Sequence, residues 1–309
     1  MLLCPVCHEP LVDDERGAAC AGGHRFDRAR EGYLYLLRSS KSGDSMGDPK
    51  SQARSRRDFL NRGYYAPLRD AMVELVRERA QRCAATSDKP LALLDICCGE
   101  GYYTSAMGAV PGVDAYGFDL GKEMVRLAAK RGDATYFVAN MKDIPVADGA
   151  FDMVTELFAP FNEREFARVL APEGSLYTVV PGARHLFGLK EVLYDTPYLN
   201  DEKLPKTTEP SWSERSGCLR ILRYDPGRHR GGVPDDAVLL PHAPCRQRAP
   251  GKFGHAPDRH RLHHRRVPPQ LTTCQKGTGL FWQVLSGKRK GPTAEMRDRP
   301  FLVAWLQRL

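Results

Sequence analysis

LLDICCGEGYYT, residues Leu93 to Thr104, decides how this 309-residue chain is read. An apolar run ends in an acid, Asp95. A turn of small residues follows, Cys97, Cys98, Gly99 and Gly101. Tyr102 to Thr104 then open an amphipathic stretch. Strand, tight turn and helix in that order form the first unit of a wound α/β sheet. The alternation continues downstream. VDAYGFD (113–119), ATYFVAN (134–140), FDMVTELF (151–158) and SLYTVV (175–180) read as strands. YYTSAMGAV (102–110), KEMVRLAAKRG (122–132) and EREFARVLAPEG (163–174) read as helices. Upstream, PLRDAMVELVRERAQRC (67–83) carries Leu68, Met72, Leu75 and Val76 at helical spacing. The expected fold is a mostly parallel sheet covered by helices. Such sheets bind ligands at the carboxyl ends of their strands.

A dinucleotide fingerprint G-x-G-x-x-G would fall on Cys97, Gly99 and Tyr102, and only Gly99 matches. No G-x-x-x-x-G-K-[ST] phosphate loop is present either. The shorter pattern D-x-C-C-G-E-G resembles the first motif of class I S-adenosylmethionine-dependent methyltransferases. S-adenosylmethionine carries a cationic sulfonium and a zwitterionic methionyl end. Gly99 and Gly101 let backbone approach such a ligand closely, and Asp95 puts negative charge near its cationic end. Asp119 closes the next strand, about 20 residues on, where an acid accepts from ribose hydroxyls. Asn140 and Met141, past another strand, are placed to flank adenine. Cys97 stands where the motif has Gly. If that position needs φ > 0, a β-carbon there costs on the order of 1 kcal/mol.

The first 36 residues form a separate Cys/His unit. Cys4, Cys7, Cys20 and His24 give C-x2-C-x12-C-x3-H. Four sulfur and nitrogen donors at these intervals suit a closed, tetrahedral, structural Zn2+ site. His8 competes as a ligand, but its use would break the second pair. A segment this short needs metal to fold. Residues 37–88 read as a basic linker and helix, in which Arg54, Arg56, Arg57 and Arg62 precede Tyr64 and Tyr65. This run is either a solvated segment or an RNA-facing surface.

Together these stretches are specific. CPVCHEPL, GHRFDRAREGYLYLL, GDSMGDPKSQARSRRDFLNRGYYAPLRDAM, LDICCGEGYYT and FAPFNEREFARVLAPEGSLYTVVPGARHLFGLK resemble the 23S rRNA (guanine-N1)-methyltransferase family, over residues 1 to about 225. The resemblance implies an α/β, Rossmann-like class I methyltransferase sheet (89–225) with a small N-terminal zinc-binding module (1–36). It puts zinc on Cys4, Cys7, Cys20 and His24, and cofactor contacts on Tyr65, Tyr103, Thr104 and His185. The implied reaction methylates N1 of a guanine in 23S rRNA. Such an enzyme must expose the base, remove its N1 proton and align N1 with the methyl carbon. ELFAPFN, at the end of the fourth strand, faces the target base in class I enzymes. Phe158 or Phe161 is a candidate for stacking. Glu156 and Asn162 are candidates for the guanine edge or its proton, against a plainer role for Asn162 as a helix cap. A homodimer is a candidate assembly. A methyltransferase of a small molecule such as a quinone precursor, and a non-catalytic zinc-stabilised RNA-binding protein, are the rivals.

The bulk charge says little about the folded part. Residues 226–309 hold 16 Lys/Arg against 5 Asp/Glu, so the first 225 residues carry −3 of the overall +8. That tail also holds six of the nine His and ten of the 23 Pro, without sustained periodicity. It reads either as out-of-frame translation from about Pro226 or as a basic RNA-binding arm. Phe281, Trp282, Phe301 and Trp305 favour the former. MLLCPVCHEP has neither the basic nor the apolar region of a signal peptide, and no stretch of about 18 apolar residues spans a membrane. The expected location is the cytoplasm, where nine cysteines mean metal or thiols rather than disulfides.

Overall fold

The computed structural model describes residues 1–37, 50–201 and 218–224. Residues 38–49 of the basic linker and the atypical tail 226–309 lie outside the described residues. Three short strands come first, β1 (Val12–Asp13), β2 (Gly17–Ala19) and β3 (Arg25–Asp27), paired antiparallel in that order. The Asp14 carboxylate accepts the backbone N–H groups of Arg16 and Gly17, each at 2.9 Å, and so closes the first turn.

Among the described residues, the main sheet has seven strands. Five follow from the alternation already described: β5 (Leu91–Ile96), β6 (Val113–Asp119), β7 (Thr135–Val138), β8 (Phe151–Leu157) and β9 (Leu170–Pro181). The other two are β4 (Leu34–Tyr35) and β10 (Cys218–Tyr224). The order is β10-β9-β8-β5-β6-β7-β4, and each pairing is parallel. The class I methyltransferase architecture is therefore present. β4 was not expected there: the zinc-ligand unit ends in a strand that pairs with β7, with Leu34 opposite Phe137. Leu34 and Leu36 are buried in the same core as Leu94 and Phe118. The N-terminal residues are thus stitched into the sheet rather than merely tethered to it.

Burial follows from layering. All six residues of β5 are buried because helices cover both sheet faces. Ala92, Leu94 and Ile96 join one core with Phe166 and Val169 of α5 (Glu163–Val169). Leu91 and Leu93 join the other, with Leu68, Met72, Val76 and Ala80 of α2 (Ala66–Ala84) and Met107 of α3 (Tyr102–Gly108). The alternation along the strand sorts these side chains between layers. α1 (Lys50–Asn61) seats Ala53 against Met124 and Leu127 of α4 (Lys122–Ala129).

One helix is shorter than the sequence suggests. EREFARVLAPEG was read as a helix to Gly174, but α5 stops at Val169 and β9 begins at Leu170. Pro172 has no N–H to donate and its ring collides with the preceding turn, so the helix cannot run through it. Leu170 pairs with Phe151 instead, across a register shift between Phe151 and Met153. A further helix, α6 (Phe187–Leu193), follows β9. No helix among the described residues is long and apolar enough to cross a membrane.

Candidate active site and metal centre

A cavity of about 460 Å3 opens at the carboxyl ends of the central strands. Asp95, next to last in β5, lines it, as do Asp119 at the end of β6, Leu157 at the end of β8 and Phe158 just beyond; Cys97, Cys98 and Gly99 of the first turn line it too. This is the crevice where parallel sheets hold ligands.

The turn is shaped by close approach. Gly101 sits at φ 80° as the cap of α3, and a β-carbon there would lie 2.8 Å from Ala128 Cβ. Only Gly fits so near α4. Asp119 Oδ2 accepts the Gly99 N–H at 3.1 Å, and Oδ1 accepts the Gly121 N–H at 2.7 Å. Asp119 also lines the cavity, and a carboxylate with two acceptor oxygens suits a pair of vicinal hydroxyls. Asp95 lies below, accepting the Thr155 hydroxyl at 2.8 Å and the Thr104 hydroxyl. Burial raises its carboxyl to about 6, against those hydrogen bonds, which lower it. A cation placed above it would draw it back to the ionised form.

Cys97 occupies the left-handed region, φ 55°. The motif position does demand positive φ, and Cys bears the strain that Gly would avoid. Its Sγ lies 3.8 Å from Met141 Sδ, and burial together with Asp119, Glu156 and Asp95 pushes the thiol far up. It is therefore a packing group and not a reactive thiolate. Replacing it with Gly relieves roughly 1–2 kcal/mol of left-handed strain. The freer unfolded chain takes back roughly 0.4–1 kcal/mol. The Cys97→Gly protein is expected to melt within a few degrees of the parent and to bind S-adenosylhomocysteine as tightly or more tightly by calorimetry. Abolished binding would rule out the strain account.

An aromatic cluster forms one wall. Tyr65 Oη is 2.9 Å from His185 Nε2, and Phe158 stacks on the His185 ring at 5.3 Å. Tyr65 also meets Phe158 edge-on at 6.1 Å and Tyr224 at 5.5 Å. Burial brings His185 down to about 4, so its imidazole is neutral at pH 7. Phe158, like Cys97, holds a positive φ, 56°, a strain characteristic of ligand sites.

The sequence-derived candidates therefore sort into two groups. Tyr65, Asp95, Gly99, Tyr103 and Asp119 line the cavity. Gly101, Thr104 and His185 stand behind it, acting through the turn, through Asp95 and through Tyr65 respectively. Glu156 and Asn162 are not on its wall. Asn162 Oδ1 caps α5 by accepting the Glu165 N–H, and its Nδ2 donates to the Met141 carbonyl at 2.8 Å. These contacts give Asn162 the plainer of its two candidate roles, that of a helix cap. Glu156 accepts the Thr178 hydroxyl and the Ala159 N–H, and burial raises it to about 7. It braces the Phe158–Pro160 turn. Phe161 packs edge-on against Phe166 at 5.2 Å, so Phe158 is the ring at the cavity. Asn140 accepts the Lys142 N–H at 3.0 Å in the adjoining turn. Arg56, Leu60 and Glu100 also line the cavity and were not anticipated. For Arg56 a signal existed: Ala53, Arg56, Arg57 and Leu60 lie at i, i+3, i+4, i+7 on the inward side of α1.

The second cluster lies in the N-terminal ribbon. One ligand atom from each of Cys4, Cys7, Cys20 and His24 falls within 4.8 Å of every other. Cys7 Sγ and Cys20 Sγ are 3.6 Å apart, and each is 3.4 Å from His24 Nδ1. A tetrahedron with Zn–S bonds near 2.3 Å has edges of about 3.8 Å, so the donors fit zinc. Burial opposes the Cys20 thiolate, yet hydrogen bonds from His24, Cys7 and Cys4 outweigh it and bring the thiol to about 6. The Val6 N–H also points at Cys4 Sγ, 3.4 Å away. His8 is outside the cluster.

Comparison with known proteins agrees with both clusters. Residues 2–41 match the family "RlmA, N-terminal", a zinc ribbon, and residues 93–174 match "Methyltransferase domain". A 23S rRNA (guanine(748)-N(1))-methyltransferase of Streptomyces fradiae is 34% identical over 195 residues, covering 62% of this chain and 67% of that protein. YxjB of Bacillus subtilis, provisionally named for guanine-N(1) methylation of 23S rRNA, is 32% identical over 238 residues, covering 72% and 80%. A demethylmenaquinone methyltransferase of Chlorobaculum parvum is 28% identical over 153 residues, covering 47% and 63%.

Proposed function

The chain belongs to the 23S rRNA (guanine-N1)-methyltransferase family, and from that premise we propose that it methylates N1 of a guanine in 23S rRNA with S-adenosylmethionine as donor. The observation that carries the reading is one cavity in which Asp119 and the Gly99–Gly101 turn meet an aromatic wall at the end of β8. Bound S-adenosylmethionine supplies an electrophilic methyl group on a sulfonium. Asp119 holds the ribose hydroxyls, and Gly99 admits the methionyl backbone in a turn that Gly101 lets pack against α4. Asp95, kept in place by Thr104 and Thr155, provides negative charge beneath the cationic end. Tyr65, Tyr103 and His185 complete the cofactor side.

Phe158 offers a stacking face for an unpaired guanine at the cavity, supported from behind by the His185 ring. Stacking of extruded bases on aromatic rings is how sequence-specific RNA readers gain purchase. Glu156 acts on the turn that carries Phe158, and Asn162 caps α5 just beyond it. Alignment of N1 with the methyl carbon then supplies much of the rate. Cys4, Cys7, Cys20 and His24 would hold zinc with four protein ligands, the complement of a structural site. An rRNA substrate places the work in the cytoplasm, and a homodimer is the assembly to test by light scattering.

Among the rivals, the small-molecule reading has a demethylmenaquinone methyltransferase as a relative, which covers 47% of this chain against 62% and 72% for the two rRNA enzymes. Incubation with methyl-labelled S-adenosylmethionine should put label into 23S rRNA lacking this modification and none into a lipid extract. N1-methylguanine blocks Watson–Crick pairing, so reverse transcription should stop at one new position. Label in lipid with unlabelled rRNA would reverse the assignment. A chain that binds no S-adenosylhomocysteine would be a zinc-stabilised RNA-binding protein instead.

A further inference from the structure

We propose that Arg56, on a helix outside the methyltransferase sheet, binds the carboxylate at the methionyl end of the cofactor. The inference rests on the methyltransferase reading and adds a residue to it. The inward stripe of α1 is Ala53, Arg56, Arg57 and Leu60, so two guanidinium groups stand where a surface helix normally turns apolar residues inward. Arg57 Nη1 reaches the Leu127 carbonyl near the end of α4 at 3.4 Å, a helix-terminus contact. Arg56 turns into the cavity. Its Nη1 would lie 3.7 Å from a β-carbon on Gly99, so the guanidinium sits against the turn that receives the methionyl group.

Charge matching argues for an anionic partner. Three acids line the cavity, Asp95, Glu100 and Asp119, and Arg56 is the one cation among its described lining residues. The donor has two cationic centres, sulfonium and ammonium, and one anion, the carboxylate. Arg131 grips both Glu100 oxygens, at 2.7 and 2.9 Å, and the Arg56 and Arg57 charges add to that attraction from nearby. A planar guanidinium beside a carboxylate makes a two-bond contact that Lys cannot copy. α1 does not need Arg56 for its seat. Ala53 packs on Met124 and Leu127, and Asn61 Oδ1 accepts from Arg131 Nη2 at 2.7 Å. An Arg56→Gln chain should therefore fold.

The test compares two ligands that share the adenosine and the thioether. S-adenosylhomocysteine has the amino-acid end, and 5′-methylthioadenosine lacks it. By calorimetry, Arg56→Gln should weaken S-adenosylhomocysteine roughly 10- to 100-fold, the range for a charged hydrogen bond. It should leave 5′-methylthioadenosine within about twofold, and Arg56→Lys should recover only part of the loss. An equal loss for both ligands would make Arg56 a support for the cavity wall and overturn the assignment, as would no loss for either. If the parent protein binds neither ligand, the methyltransferase reading itself falls, and this assignment with it.

Discussion

A Cys20→Ser chain is expected to lose its zinc and, with it, the fold of residues 1–36. The ribbon has little else to hold it. Its three strands are two or three residues long, and ahead of Tyr33 its buried hydrophobic side chains are small, Cys4, Ala18 and Cys20. Structural zinc in such units contributes about 10–16 kcal/mol, far more than this surface could supply. Ser places an alcohol where a thiolate is needed, and three remaining ligands do not close a tetrahedral site. The damage should spread to the edge of the main sheet, because the Leu3 N–H donates to the Pro145 carbonyl and β4 pairs with β7. The cofactor cavity, built from β5, β6 and β8, should persist. Metal analysis should find about one zinc per parent chain and none in the variant, while proteolysis cuts the first 36 residues and S-adenosylhomocysteine binding changes little. Parent protein purified without chelator and found free of zinc would defeat this account.

Asp119→Ala is expected to lower affinity for S-adenosylhomocysteine roughly 10- to 100-fold. Hydrogen bonds to a charged acceptor contribute about 1.5–3 kcal/mol. The ribose contact is only part of the loss. Asp119 also accepts the Gly99 and Gly121 N–H groups, so its removal unpins the turn beneath the cofactor. Asp119→Asn keeps one oxygen and should fall between parent and Ala. Calorimetry at neutral pH measures all three. Parent-like affinity in the Ala variant would remove Asp119 from the site.

Much of this was legible in the chain itself. Apolar runs ending in Asp95 and Asp119, each followed by a turn and a helix, specify parallel strands with acids at their carboxyl ends. That relation is local, because strand period and chain direction decide where the last residue points. The Cys/His spacing was equally legible, since ligands in two tight knuckles can meet only one ion. Asn162 before GluArgGlu reads as a cap on the same local grounds, and the structure uses it so.

Other features depended on contacts between distant segments. Whether Cys97 takes a left-handed φ is decided by the fit of its turn against β6 and α4, and no pattern in the sequence states it. The pairing of Leu34 with Phe137, across 103 positions, makes the zinc unit an edge of the sheet. Arg56 enters the cavity because Ala53 docks on α4, a contact some 70 residues away in the chain. Sequence by itself determined the elements, their order and the two ligand-bearing motifs, because periodicity and spacing act within a few residues. Tertiary structure alone decided which side chains from α1, α2, β8 and the segment after β9 converge on one cavity, because burial pairs surfaces that share no local rule.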